Sequence, residues 1–218
     1  AQTRLDRAVD FVNATDDVDF VIFGGDQVHH GESVEQRDVF LAGAARLKMP
    51  WYGVSGNHDQ HEVYLTHEAT PNRFTLNHKG CFFVGFNATA LRGDLEAAAQ
   101  AEEWAYLRET MAAAPADATH RFVIMHWPLF IQHPDEEECY WNMPNRHQLV
   151  QFFKESKITC VLTGHWHQDI DVTWQGIPLI TSIGTCRQLQ YPEETAFKLV
   201  AVFDEGFSVR RVSVETMA

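Results

Sequence analysis

The chain has 218 residues, 45% hydrophobic and 22% charged, which fits one folded domain, residues 1–218, with a sizeable core. A formal net charge of -13 at pH 7 argues against partners held through phosphate backbones or anionic bilayers, so neither nucleic acid nor a membrane is expected. No apolar run is long enough to span a bilayer, and Cys81, Cys139, Cys160 and Cys186 are too scattered for a disulfide framework, a mild preference for a reducing, cytoplasmic compartment.

Residues 4–14 set Leu5, Ala8, Val9 and Val12 at helical spacing, and a strand follows over 20–23. Ser33 then caps a helix reaching about Lys48, with Gln36 in capping-box position. Pro50 precedes a strand over 51–54, and residues 73–76 and 81–86 read as consecutive strands across a turn. The longest helical pattern, 97–114, is stopped by Pro115. A strand over 121–125, a helix over 146–156 and a strand over 158–162 come next. From Gly164 onward only strands are predicted, over 170–174, 177–182, 197–203 and 207–214. Alternation followed by a meander implies two mixed sheets packed face to face with helices outside. Residues 127–145 lack periodicity, and a long aperiodic stretch after a candidate ligand reads as a lid or rim.

Four of these strands run into chelating side chains. Gly25-Asp26 follows 20–23, Gly56-Asn57-His58-Asp59 follows 51–54, His126 follows 121–125, and Gly164-His165-Trp166-His167 follows 158–162. Strand C-termini are where an open α/β sheet builds its site, and imidazole, carboxylate and amide hold borderline and hard divalent metals. A carboxylate has two oxygens, so Asp26 can bridge two cations. His165 and His167 can send one imidazole to each, while Asn57 adds a carbonyl oxygen and His126 a further nitrogen. Two cations ~3.5–4 Å apart would polarise a phosphoryl oxygen and generate a metal-bound hydroxide at neutral pH. His58 is then placed to protonate the leaving alkoxide, with Asp59 orienting it through Nδ1–H. Taken singly, each cluster also reads as a turn, a cap or a backbone-bonded histidine. Together, at four strand ends, they favour a metal site.

In order, Gly25-Asp26, Gly56-Asn57-His58-Asp59, Val123-Ile124-Met125-His126 and Gly164-His165-Trp166-His167 resemble four of the five blocks that mark calcineurin-like metallophosphoesterases. The resemblance spans nearly the whole chain. It implies an α/β fold, a four-layer αββα sandwich, and two metal ions, divalent or of mixed valence, drawn from Mn, Fe or Zn. It also implies that Asp26 bridges the metals, that Asn57, His126 and His165 complete the second site, that His167 serves the first, and that His58 is the catalytic imidazole. Tyr140-Trp141-Asn142-Met143-Pro144 and the C-terminal meander look closest to the branch of calcineurin-like phosphoesterase domain-containing protein 1. The family's first block, Asp-x-His at the end of a first strand, has no counterpart before Gly25. An N-terminal strand is therefore expected to be missing from the sequence as given, leaving the first site with Asp26 and His167. Purple acid phosphatases carry an iron-ligating tyrosine three residues after the bridging Asp. His29 stands there, by default a surface histidine, otherwise a nitrogen ligand of the first site.

The run Asp135-Glu136-Glu137-Glu138 reads as a solvated loop that would repel polyanionic substrates. Trp127 and Trp141, with Phe130 and Tyr140, are candidates either to stack on an aromatic leaving group or to pack in the core. Arg187 is a candidate phosphate contact. The expected reaction is in-line hydrolysis of a phosphate ester, a monoester ahead of a cyclic-nucleotide or headgroup diester. A non-catalytic interaction module of the same fold is the alternative.

Overall fold

The computed structural model describes residues 1–189 and 194–216. In chain order it contains α1 (Gln2–Ala14), β1 (Val21–Phe23), α2 (Val34–Ala44), β2 (Trp51–Gly53), α3 (Glu62–Leu65), β3 (Phe74–His78), β4 (Cys81–Gly85) and α4 (Ala88–Arg92). These are followed by α5 (Ala97–Ala112), β5 (His120–Ile124), α6 (Arg146–Glu155), β6 (Cys160–Thr163), β7 (Ile170–Trp174), β8 (Ile177–Thr181), β9 (Ala196–Phe203) and β10 (Gly206–Ser213). All the elements expected from periodicity are present within a few residues of their predicted bounds. The two additions, α3 and α4, are too short for a 3.6-residue period to register. Local caps define them instead: the Asn87 side chain accepts from the Ala90 N–H at 3.1 Å, and Gly93 closes α4 with φ +96°.

A six-stranded sheet in the order β3-β4-β5-β6-β8-β7 divides the molecule. Its inner strands β4, β5, β6 and β8 run parallel, and the two edge strands are antiparallel to their neighbours. Parallel strands buried on both faces favour continuous apolar runs, and Phe82, Phe83, Val84, Phe122, Val123 and Ile124 supply them. Alternate residues point to opposite sides. Phe82, Val84, Val123 and Val161 face a core completed by Leu91, Trp104, Leu107, Leu149 and Phe153 from α4, α5 and α6. Phe83, Phe122, Ile124, Cys160 and Ile180 face the other way, against Ile22, Val54, Val202, Phe207 and Val209.

That second face meets two ribbons, the parallel pair β1–β2 and the antiparallel hairpin β9–β10. Helices α1 and α2 cover them: Phe11 of α1 packs edge-on against Phe197, and Phe40 of α2 against Phe23, with ring centroids 5.8 and 5.0 Å apart. The order of layers is helix, sheet, ribbons, helix, the αββα sandwich expected, except that among the described residues the second layer is two separate two-stranded ribbons and not one mixed sheet. Side chains fasten the hairpin to the main sheet. His120 Nε2–H donates to the Phe203 carbonyl at 2.8 Å, and Lys198 Nζ reaches the Thr181 carbonyl at 2.8 Å and Asp169 at 3.0 Å.

Residues 127–145 hold neither helix nor strand, yet they are tied down by polar contacts. Glu136 was expected to be a solvated surface charge. Instead its carboxylate accepts from the N–H groups of Ile131, Gln132 and His133 and from Asn142 Nδ2, which together hold it below the usual carboxylate range against the opposing effect of burial. Arg146 donates to the carbonyls of Pro134, Glu136 and Met143. All four cysteines are free, and burial pushes the Cys160 thiol up to about 12, so it is inert at neutral pH. Among the described residues, no helix is long and apolar enough to cross a membrane.

Leu107 is fully buried where α5 meets the main sheet. Leu107→Ala is expected to cost about 2–5 kcal/mol of unfolding free energy, read as a lower denaturation midpoint with an unchanged slope in urea.

Candidate metal centre

Because β1 and β2 are parallel in one layer and β5 and β6 are parallel in the other, their C-terminal ends meet at one mouth. Gly24-Gly25-Asp26 leaves β1, Gly56-Asn57-His58 follows β2, His126 follows β5, and Gly164-His165-Trp166-His167 leaves β6. The two layers are pinned where His126 Nδ1–H donates to the Gly24 carbonyl at 2.8 Å. The approach is close enough to require glycine. A Cβ at Gly25 would fall 2.3 Å from His126 Nδ1, and one at Gly56 would fall 2.1 Å from Asp26 Oδ1. Asp26, His165 and His167 themselves adopt left-handed backbone, with φ +52°, +63° and +57°. Non-glycine residues held there store strain of the kind that clusters at functional sites.

In the neutral imidazole, donation to Gly24 keeps the proton on Nδ1 and leaves a lone pair on Nε2. That lone pair faces Asp26 Oδ2 at 3.2 Å, Asn57 Oδ1 at 3.1 Å and His165 Nδ1 at 3.2 Å. Three further donor atoms crowd a ring only 2% exposed, an arrangement that a proton on Nε2 or a metal cation relieves. Asp26, His126 and His165 offer ligand atoms all within 4.8 Å of one another. His165 Nε2 and His167 Nδ1 are buried with no hydrogen-bond partner among the described residues, a state that burial alone disfavours. The donor set therefore fits a metal.

Ionisation at the site follows from burial and from these neighbours. Burial works to raise the Asp26 carboxyl, but the His126 imidazole and the His58 backbone N–H (2.9 Å) outweigh it, and Asp26 stays ionised. Burial works to lower His126, and Asp26 overturns that to raise it. His165 is pushed down to about 3, first by burial and then by His126, which keeps it neutral. Burial likewise lowers His167. His167 lies outside the tight cluster, although the Asp26 charge still reaches it.

His58 differs from expectation in one respect. Its Nδ1–H was assigned to Asp59, but it donates to the His29 carbonyl at 2.8 Å. Asp59 is fully buried and turned the other way. Its oxygens accept from the N–H groups of Gly56 (2.8 Å), Val28 (3.2 Å) and Gln27 (3.3 Å), lacing the loop after β1 to the loop after β2. Burial and the Asp26 charge push its carboxyl up to about 6. His29 is held in turn by Gln36. Ser33 accepts from the Gln36 N–H as a cap should, but the Gln36 side chain is diverted from the box to accept from the His29 and His30 N–H groups at 2.8 and 3.0 Å. The His29 ring points outward, its Nδ1 2.9 Å from the Arg187 guanidinium. Arg187 therefore stands at the open side beside His29, whose ring centroid lies 4.9 Å from that of His58.

The aromatic candidates divide. Trp127 is 1% exposed, donates its indole N–H to Thr89 Oγ1 at 3.0 Å, and sits 3.7 Å from the His165 ring. Burial removes it from any substrate, and it acts as a wall behind His165. Trp141 is half-buried at the mouth, between Trp166 and His165 at 5.2 and 5.3 Å. Tyr140 is 53% exposed, and its hydroxyl accepts from Asn57 Nδ2 at 3.1 Å. Sequence reasoning missed that contact and the Gly24 carbonyl. The first joins residues 83 positions apart, and the second is backbone, which no side-chain motif advertises.

Residues 2–169 match the family model described as Calcineurin-like phosphoesterase. The chain belongs to the calcineurin-like phosphoesterase family. It is 29% identical over 188 residues to the Danio rerio protein named Serine/threonine-protein phosphatase CPPED1, an alignment covering 78% of the chain and 60% of that protein. The Rattus norvegicus protein of the same name is 24% identical over 216 residues, covering 91% of the chain and 69% of its own length. The chain thus spans about 60–70% of these relatives, and it falls on their branch of the metallophosphoesterases. The purple acid phosphatase PPD1 from yellow lupin (Lupinus luteus) seeds shares the fold, with a TM-score of 0.70 and 13% identity over all of this chain and 47% of the lupin chain.

Gly56→Ala is expected to abolish tight metal uptake while leaving the far-ultraviolet circular dichroism of the fold in place. Metal content after dialysis, determined by mass spectrometry, checks it; wild-type content in the variant refutes the crowding argument.

Proposed function

We propose that this chain hydrolyses phosphate esters with two metal ions at the mouth described above. The observation that carries the reading is the meeting of Asp26, Asn57 and His165 at Nε2 of His126. Asp26, Asn57, His126 and His165 would hold one ion, and Asp26 with His167 the other. Manganese, iron and zinc all suit this mixed nitrogen and oxygen set. When bound, such a pair polarises a phosphoryl oxygen and makes water a stronger acid.

The chain's own residues supply the rest. With Nδ1–H committed to the His29 carbonyl, His58 gives and takes its working proton at Nε2, the nitrogen left free to meet a leaving alkoxide. Gln36 holds the His29 peptide, so the imidazole is aimed without a carboxylate partner. Arg187 offers its guanidinium to the equatorial phosphoryl oxygens. Asp59 keeps the two ligand loops at their working separation. Trp141 and Tyr140 form the rim of the opening, and residues 127–145 form the lid. The exposed Asp135, Glu137 and Glu138 discourage polyphosphates and nucleic acid. A monoester is favoured by the phosphatase name of the relatives, with a phosphodiester as the rival substrate.

Assay of the manganese-loaded protein on p-nitrophenyl phosphate and bis-p-nitrophenyl phosphate tests this. The monoester is expected to turn over faster, and His58→Ala to lower kcat by about 10²–10⁴-fold with metal content unchanged. A fully loaded wild type inert on both esters sinks the hydrolase reading. Loss of metal in His58→Ala would move that residue from proton transfer to ligation.

A further inference from the structure

A primary amide is nearly symmetric in shape but opposite in polarity at its two ends, so an Asn serves a cation only while its oxygen faces it. At Asn57 Oδ1 is turned to His126 Nε2 at 3.1 Å, and Nδ2 is turned away, where Tyr140 Oη accepts from it at 3.1 Å. Among the described residues Tyr140 is the one hydrogen-bond partner of Nδ2. We infer that Tyr140 is the positioning residue for Asn57, and that through its hydroxyl the segment 127–145 sets the affinity of the metal centre. This rests on reading Asn57 as a metal ligand.

The hydroxyl is well placed for that work although the side chain is 53% exposed. Its ring meets Trp127, Trp141 and His165 at 5.5, 4.8 and 5.3 Å. The backbone is pinned on both sides of residue 140 by one arginine: Arg92 donates to the Cys139 carbonyl at 2.8 Å and to the Asn142 carbonyl at 3.0 Å. Asn142 is itself buried, accepting from the Cys139 N–H at 3.1 Å and donating to Glu136 at 2.7 Å. Met143 beyond it is fully buried in the core shared with α6. Oη is therefore a fixed acceptor carried on a braced segment. A cation drawing density from Oδ1 makes the Nδ2 protons more acidic and strengthens their bond to Oη, so the hydroxyl stabilises the loaded state more than the empty one. Supporting partners of this kind typically cost 10–100-fold in metal affinity when removed.

Tyr140→Phe isolates the hydroxyl, because the ring and its three aromatic neighbours remain. Titration calorimetry with Mn²⁺ on metal-free wild type and Y140F is expected to show one of two equivalents weakened about 10–100-fold, with the melting temperature of the metal-free protein unchanged. The side-chain amide resonances of Asn57 in ¹⁵N–¹H spectra should move in Y140F even without metal, which a purely structural role would not produce. Equal Mn²⁺ affinities, or an unmoved Asn57 amide, overturn the inference. Wild type that binds two ions but hydrolyses neither nitrophenyl ester removes the enzymatic reading alone and leaves the Y140F comparison decisive. Wild type that binds no Mn²⁺ overturns both.

Discussion

When the Gly24 carbonyl accepts the Nδ1 proton of His126, it sets the pattern of the whole mouth, because in the neutral imidazole the lone pair then stands on Nε2. The contact joins the end of β1 in one sheet to the end of β5 in the other, so the sandwich and the ligand set are coupled through a single hydrogen bond. Everything nearby is arranged around that lone pair: a carboxylate oxygen, an amide oxygen and a second imidazole, all within about one hydrogen-bond length. Where the imidazoles are buried such an arrangement is costly unless positive charge is supplied. The glycines at 25 and 56 permit the approach, and Asp59 prevents the two loops from relaxing away from each other.

Packing and chemistry are divided cleanly between the ends of the strands. The apolar faces of the main sheet are sealed by α4, α5 and α6 on one side and by the two ribbons on the other. Polar work is confined to the C-terminal edge, where the backbone leaves the ladder and side chains are released from the pleat. The segment 127–145 follows a third principle, since much of what shapes it is carbonyls and carboxylates satisfied by Arg92, Arg146 and backbone N–H groups.

The residues that meet at the candidate site and the layers were legible because each rests on local pattern. Runs such as Phe82 to Val84 and Phe122 to Ile124 announce buried strands, and the chelating residues directly follow such runs. What escaped was non-local or reassigned. Gln36 obeyed its capping pattern only through its backbone N–H, and its side chain found better partners in the His29 and His30 peptides. Asp59 was read as a partner for the neighbouring imidazole, but full burial made three backbone donors the stronger claim. Trp127 was open between the mouth and the core from its place in the chain, and the indole N–H bonded to Thr89 decides for the core. Glu136 sat in a run of four acids, and nothing in that run distinguished the one whose carboxylate organises the loop.

The left-handed backbone at Asp26, His165 and His167 has an evolutionary consequence. Each position holds a conformation that costs a side-chain-bearing residue roughly 1–3 kcal/mol and that glycine adopts freely. At His165 and His167 selection for thermal robustness alone would drift toward glycine and erase an imidazole at each step, whereas at Asp26 the lost pairing with His126 and the His58 N–H opposes it. Mutational libraries sorted for melting temperature should thus be enriched in folded descendants lacking these imidazoles, so that hardiness and the candidate site are opposed at the same two codons.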